Sequence, residues 1–266
     1  MYHFILDGYK GYRSRFDDLK LIQELLDEVP YLLGLQPVMP SFLLPYYNGI
    51  VPEDCGISAF VFLRGGHMTI HTFSFRESYF ADVLAPQDFD IDRLRSLLAS
   101  ALPCEETHVD FASREKNAFP KIEPDPEVDF GPHCLFEIEE YQGPDTLDSL
   151  FKLFDGLPGD IGMTPIMRPY VIRSSCPENG EILSAMTMIA ESHLSLHIFL
   201  EQQRAYFDLF SCSFFDYPLV LARLNDLLPG EYNYSTLIPR GKNYRHYRTK
   251  RVEEQNKSRF WLKSLD

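Results

Sequence analysis

Between Ile182 and Cys212 the chain reads ILSAMTMIAESHLSLHIFLEQQRAYFDLFSC. The polar triplet Glu191-Ser192-His193 separates two apolar runs, Ser184 to Ala190 and His193 to Phe199, and the second run alternates. Polar groups inside a sheet must find partners, so the triplet is either a surface hairpin turn or a chemical step. Its surroundings bear on the choice. His197 lies five residues after Ser192, Glu201 four after His197, and Cys212 follows a third alternating run, Tyr206 to Phe210, that carries Asp208. Hydroxyl, imidazole, carboxylate and thiol are the groups of nucleophilic and proton-transfer chemistry. Other chemistries lack their signatures. There is no Gly-rich phosphate loop, no Cys-x-x-Cys pair and no His-Glu-x-x-His helix, so no metal is expected. The Gly65-Gly66 turn is too short to cradle a phosphate.

The framework for these groups is read from hydrophobic period. In the first half, strands are expected at Tyr2 to Tyr9, Ile57 to Leu63, His67 to Phe75, Tyr79 to Leu84 and Thr107 to Phe111. Helices are expected from Asp17 to Val29, stopping at Pro30, and from Asp90 to Leu102. Tyr31 to Tyr47 is strand or loop. Ser113 to Pro132 holds four prolines and many charges without a period, and reads as a linker. The pattern then restarts: strand Cys134 to Tyr141, helix Thr146 to Phe154, strand Pro165 to Arg173, the three runs above, helix Tyr217 to Leu228 and a strand near Tyr232 to Ile238.

One constant shift, 126 positions, lays Ser58 on Ser184, His67 on His193, His71 on His197 and Asp82 on Asp208. Such polar identities inside strands of equal length point to duplication; two unrelated αβ units are the alternative. The expected domains are a first repeat at 1–112, a linker at 113–132, a second repeat at 133–239 and a basic tail at 240–266. The tail, Arg240 to Asp266, is basic (Lys242, Arg245, Arg248, Lys250, Arg251, Lys257, Arg259, Lys263) and suits a solvated segment, a last helix docked by Phe260, Trp261 and Leu262, or contact with an acidic partner or subunit.

The chain has 266 residues, 45% of them hydrophobic and 14% aromatic, enough for a substantial core. A net charge of −14 disfavours nucleic acid as a partner. Five cysteines without metal-type spacing read as reduced thiols, and no run is apolar long enough to span a bilayer. A cytoplasmic chain with a small-molecule substrate is the expectation.

The stretch around Glu191-Ser192-His193 resembles the S-adenosylmethionine decarboxylase family, whose prokaryotic members carry Glu-Ser-His-x-x-x-His followed by a Thr-Cys-Gly-like segment. Ser184, Glu191, Ser192, His193, His197, Glu201, Asp208 and Cys212 all fall in register. The resemblance implies that the Glu191–Ser192 bond breaks, giving chains 1–191 and 192–266. Ser192 would become a pyruvoyl group that binds the substrate amine as a Schiff base, an electron sink for loss of carbon dioxide. Cys212 would return the proton; taken alone it also fits a small buried hydrophobe. It further implies an α/β fold of two sheets packed face to face, an αββα sandwich, in which each site borrows a serine and a histidine from the opposite unit. Here Ser58 and His71 would stabilise the oxyanion and remove the Cα proton. The first repeat has Gly65-Gly66 and Pro86 where the second has Glu191-Ser192 and Cys212, so it would be inactive, with Ser184 and His197 as its remnants.

The family's ribose-holding glutamate follows the histidine by four residues. Glu201 matches it in the second repeat, but Phe75 stands there in the half that should serve the live site. Glu77 would share Phe75's face only in a regular strand. Glu139, taken as equivalent to Asp7, is a further candidate for a substrate contact, and Tyr46 and Tyr47 could stack on a purine or simply pack. Three functions follow: an S-adenosylmethionine decarboxylase of polyamine (spermidine) synthesis, a pyruvoyl-dependent decarboxylase of a basic amino acid such as ornithine or arginine, and a non-catalytic binding or regulatory relative. The two self-cleaved chains would stay associated, and a homodimer is open.

Overall fold

A computed structural model describes residues 1–46, 55–113, 122–190 and 192–245. Glu191, Tyr47 and the cations from Arg248 onward, with Phe260, Trp261 and Leu262, lie outside the described residues. The first repeat comprises β1 (Tyr2–Gly11), α1 (Arg13–Phe16), α2 (Leu19–Leu32), β2 (Phe42–Tyr46), β3 (Gly56–Leu63), β4 (Gly66–Phe73), a 3-10 turn (Ser74–Arg76), β5 (Ser78–Ala85), α3 (Ile91–Ala101) and β6 (Cys104–Ser113). The second comprises β7 (Gly131–Glu139), α4 (Leu147–Asp160), β8 (Tyr170–Cys176), β9 (Gly180–Ile189), β10 (Ser192–Phe199), β11 (Arg204–Ser211), α5 (Tyr217–Leu227) and β12 (Glu231–Arg240).

Each repeat folds into a six-stranded antiparallel sheet, and the orders β2-β3-β4-β5-β1-β6 and β8-β9-β10-β11-β7-β12 are the same path. Alternation gives each strand two faces. In β5, Ala81, Val83 and Ala85 pack with Leu26 of α2 and Leu94 of α3. In β10, Leu194, Leu196 and Ile198 do the same with Phe154 of α4 and Leu224 of α5. The opposite faces meet each other: Phe60 and Phe62 pack with Met186 and Met188, and Phe80 packs with Phe210. Layers therefore run helix, sheet, sheet, helix, as the αββα expectation had it. Asp90 and Asp216, 126 apart, cap α3 and α5 in the same way, each accepting from a backbone N–H three residues on.

The sequence expectations need four corrections. Helix α2 does not stop at Pro30 but runs through it to Leu32; Pro158 lies likewise inside α4. Each proline removes the bond to the carbonyl four residues back, and in both helices only two further residues follow it. Strand β8 begins at Tyr170, not Pro165, which makes only an isolated bridge to Ile189. Strand β4 ends at Phe73, short of Phe75. Arg240, counted with the basic tail, is the buried last residue of β12. No helix among the described residues is long and apolar enough to cross a membrane.

Candidate functional site

The polar side chains of the inner faces converge. Odd-numbered residues of β4 and β10 look into the layer between the sheets, which buries His67 and His71 against His193 and His197. Ser58 lies across the strand pair from His71, and Ser184 lies across from His197. The result is two matching chains of hydrogen bonds. In one, Ser58 Oγ lies 3.0 Å from His71 Nδ1, and His71 Nε2 lies 2.8 Å from His193 Nδ1. In the other, Ser184 Oγ lies 2.8 Å from His197 Nδ1, and His197 Nε2 lies 2.8 Å from His67 Nδ1. Each chain starts in one repeat and ends in the other. Burial, assisted by the charge of Arg240 and opposed by that of Asp82, lowers the His71 pKa to about 4. Burial also holds His193 well below the usual imidazole range, with His71 and His67 adding to the effect.

Ser192 opens β10, paired with Ile189 on one side and Ser211 on the other. Its φ of 153° is outside the range that side-chain-bearing residues favour. The hydroxyl is buried and has no hydrogen-bond partner among the described residues. Cys212 directly follows Ser211, the residue paired with Ser192, and lines a cleft of about 460 Å³ with Arg76, Phe130, Tyr244 and Arg245. The structure thus joins Ser58 to His71, links His71 to Ser192's neighbour His193, and sets Cys212 one residue beyond the strand partner of Ser192.

The candidate substrate residues lie elsewhere. Phe75, in the 3-10 turn, is 49% exposed, and the Arg13 guanidinium lies 4.2 Å from its ring centre. Glu77 ends that turn in a left-handed conformation, so the shared strand face does not exist. Glu139 is half-buried and paired with Arg204. It is also not the counterpart of Asp7. Asp82 pairs with Ile5 and Asp208 with Leu135, which offsets β1 from β7 by 130 positions and matches Asp7 with Glu137. Tyr46 ends the edge strand β2. Among the described residues no group of three or more His, Cys, Asp or Glu side chains could hold a metal ion.

Sequence reading missed the burial of Arg240 and the contact of His193 with His71. Arg240 is fully buried; its Nε donates to Asp7 at 2.8 Å, its Nη1 to Asp82 at 2.7 Å, and Gly241 N donates to the other Asp7 oxygen at 2.7 Å. Its guanidinium also sits 4.4 Å from the Phe210 ring centre. Burial alone would raise Asp82, but Arg240, His3 and His133 hold it well below the carboxylate range. At Asp7 burial wins over Arg240 and Gly241, and its pKa is raised. The repeated aspartate, Asp82 on Asp208, was the one available signal of this cluster.

A doubled antiparallel sheet unit, folded face to face around Ser–His–His chains, defines the class: a two-repeat αββα sandwich with its polar residues sealed between the sheets. The family model for S-adenosylmethionine decarboxylase matches residues 2–115 and 133–241, and the chain belongs to that family. No curated protein matches. Among solved structures, the adenosylmethionine decarboxylase of Aquifex aeolicus is similar at 17% identity and a TM-score of 0.36, over 47% of this chain and 95% of that one. A protein of unknown role from Galdieria sulphuraria is similar at 10% identity and a TM-score of 0.20, over 90% of this chain and 96% of that one.

Proposed function

We propose that the chain is a self-processing decarboxylase that converts Ser192 to a pyruvoyl group and acts on S-adenosylmethionine, yielding the aminopropyl donor of polyamine synthesis. The observation that carries this reading is the buried hydroxyl of Ser192, without a hydrogen-bond partner among the described residues, at a strained backbone position one strand residue from the Ser58–His71–His193 chain. A buried hydroxyl without a partner costs desolvation energy, and a reactive role is one reason for keeping it.

In the proposed processing, Ser192 Oγ attacks the carbonyl carbon of residue 191 and the peptide C–N bond breaks, its nitrogen taking the hydroxyl proton. Ser58 donates to the oxyanion. His71, neutral near pH 7 because its pKa is about 4, accepts the Cα proton of residue 192, and the residue-191 carboxylate leaves. Water then enters and ammonia departs. The group so formed supplies an electron sink for loss of the substrate carboxylate. Cys212, on the wall of the cleft, donates the proton that replaces it. The division of labour follows repeats 1–112 and 133–239, one lending the base and the other the nucleophile and acid. Fragments 1–191 and 192–266 stay together, because β10 pairs with β9, and β11 and β12 pair with β7. Five free cysteines suit a reducing, cytoplasmic setting.

Intact mass tests the reading. The expected result is two fragments, the smaller beginning with pyruvoyl at position 192, and a single uncut Ser192→Ala chain; an intact active wild-type chain refutes it. A second reading keeps the chemistry and takes ornithine or arginine as substrate. The outward Phe75 favours it, since that position offers no carboxylate for a ribose diol. Carbon dioxide release from ornithine or arginine but not from S-adenosylmethionine decides for the second.

A further inference from the structure

His193 is in register with the family motif, yet the processing scheme gives it no task. The geometry points to one. His71 has both ring nitrogens engaged, Nδ1 with Ser58 and Nε2 with His193 Nδ1. Only two proton arrangements are open to a pair of neutral imidazoles. In the first, His71 Nε2–H donates to His193 Nδ1. The remaining proton of His193 then sits on Nε2, which is buried and has no hydrogen-bond partner among the described residues. Ser58 must also spend its hydroxyl proton on His71 Nδ1. In the second, His193 Nδ1–H donates to His71 Nε2, and His71 Nδ1–H donates to Ser58. The partnerless His193 Nε2 is then a lone pair, not a stranded N–H, and the half-buried Ser58 keeps its own proton free. Buried donors left unpaired are rarer and dearer than under-used acceptors, so the second arrangement is favoured.

We propose that His193 is a positioning residue for the processing reaction. By donating Nδ1–H it fixes His71 as the Nδ1–H tautomer. This leaves Nε2 as the basic atom and the Ser58 hydroxyl free to donate to the oxyanion. The two ring planes lie within 8° of each other with centres 5.0 Å apart, the arrangement of an edge-to-edge, in-plane hydrogen bond, so Nε2 takes up a proton once that one bond opens. The charged, titratable and aromatic groups around His193 are His67 and His71 on β4, Asp82 on β5, His133 on β7, Phe210 on β11 and Arg240 on β12.

The proposal rests on self-cleavage at Ser192, and the mirror chain supplies its control. His67 makes the same contact to His197, but beside Gly66, where there is no serine to process. In a time course of cleavage after synthesis, His193→Leu should slow the cut about 10- to 100-fold, the usual cost of losing a group that orients a reacting imidazole. His193→Asn, whose amide N–H replaces the ring Nδ1–H, should recover most of the rate, and His67→Leu should leave it near the parent value. Nitrogen-15 NMR of the uncut Ser192→Ala chain should show His71 protonated at Nδ1 and bare at Nε2. An Nε2-protonated His71, an unaffected His193→Leu, or an equal loss in His67→Leu overturns the proposal. A wild-type chain that is never cut overturns the reading of Ser192 itself, and this one with it.

Discussion

Buried imidazoles tie the stability of this protein to pH. His71 has a folded pKa of about 4 against an ordinary 6.5, so between those values the unfolded chain binds the extra proton. Stability is therefore full above pH 6.5 and falls as pH drops toward 4, by on the order of 3 kcal/mol for this group alone. Urea melts of the uncut Ser192→Ala chain at pH 7 and pH 4.5 should show that loss, and His71→Gln on the same background should show less of it. Equal losses in both would assign the effect to other groups. Cys212 makes the complementary case at the level of turnover. Cys212→Ala should cleave normally, because the thiol takes no part in forming the ester, yet decarboxylate about 10²- to 10⁴-fold more slowly, the range for a lost proton donor. Turnover within a few-fold of the parent would remove Cys212 from the reaction.

The two equivalent hairpins, β3–β4 and β9–β10, differ where they turn. Gly65 takes φ 77°, a conformation glycine adopts without cost, and a side chain at Gly66 would place its Cβ 1.9 Å from the Leu84 carbonyl oxygen. Strand β5 has closed over the site that the first repeat would need. At the matching position of the second repeat a serine is accommodated, at the cost of its φ of 153°. Restoring the hydroxyl should therefore not restore the reaction. Gly66→Ser, even with Gly65→Glu, is expected to remain uncut at that bond and to lose about 1–3 kcal/mol through overpacking. A new fragment ending at residue 65 on a denaturing gel would show that the first repeat is dormant, not closed. Periodicity had located these strands, but not their ends: whether β4 reaches Phe75 depends on the 3-10 turn, which no alternation announces.

At the scale of the molecule, a buried ion cluster adds to the His–His bonds that tie the repeats together. Arg240, from the final strand of the second, neutralises Asp7 and Asp82 of the first inside the layer between the sheets. Removing one member of a buried charge set leaves the others unpaid, typically at about 3–5 kcal/mol. Arg240→Met should lose that much in a chemical melt, measured on the uncut Ser192→Ala background to keep processing out of the comparison. A change below about 1 kcal/mol would mean that the pair of carboxylates takes up a proton or water instead. By sequence alone Arg240 was one cation among many in a basic run, because nothing local separates a buried arginine from a solvated one.

The order of residues by itself located most strands and helices, though not all their ends, and the repeat at a shift of 126, since hydrophobic period is written within a few turns of chain, and the motif around Ser192 carried the family resemblance. Tertiary structure alone decided which histidines meet, that Glu137 and not Glu139 answers Asp7, and that Arg240 lies in the core. The physical reason is distance along the chain. Partners such as His71 and His193, or Asp7 and Arg240, stand 122 and 233 residues apart, and only the packing of one sheet on the other selects among the polar groups that alternation brings to the same face.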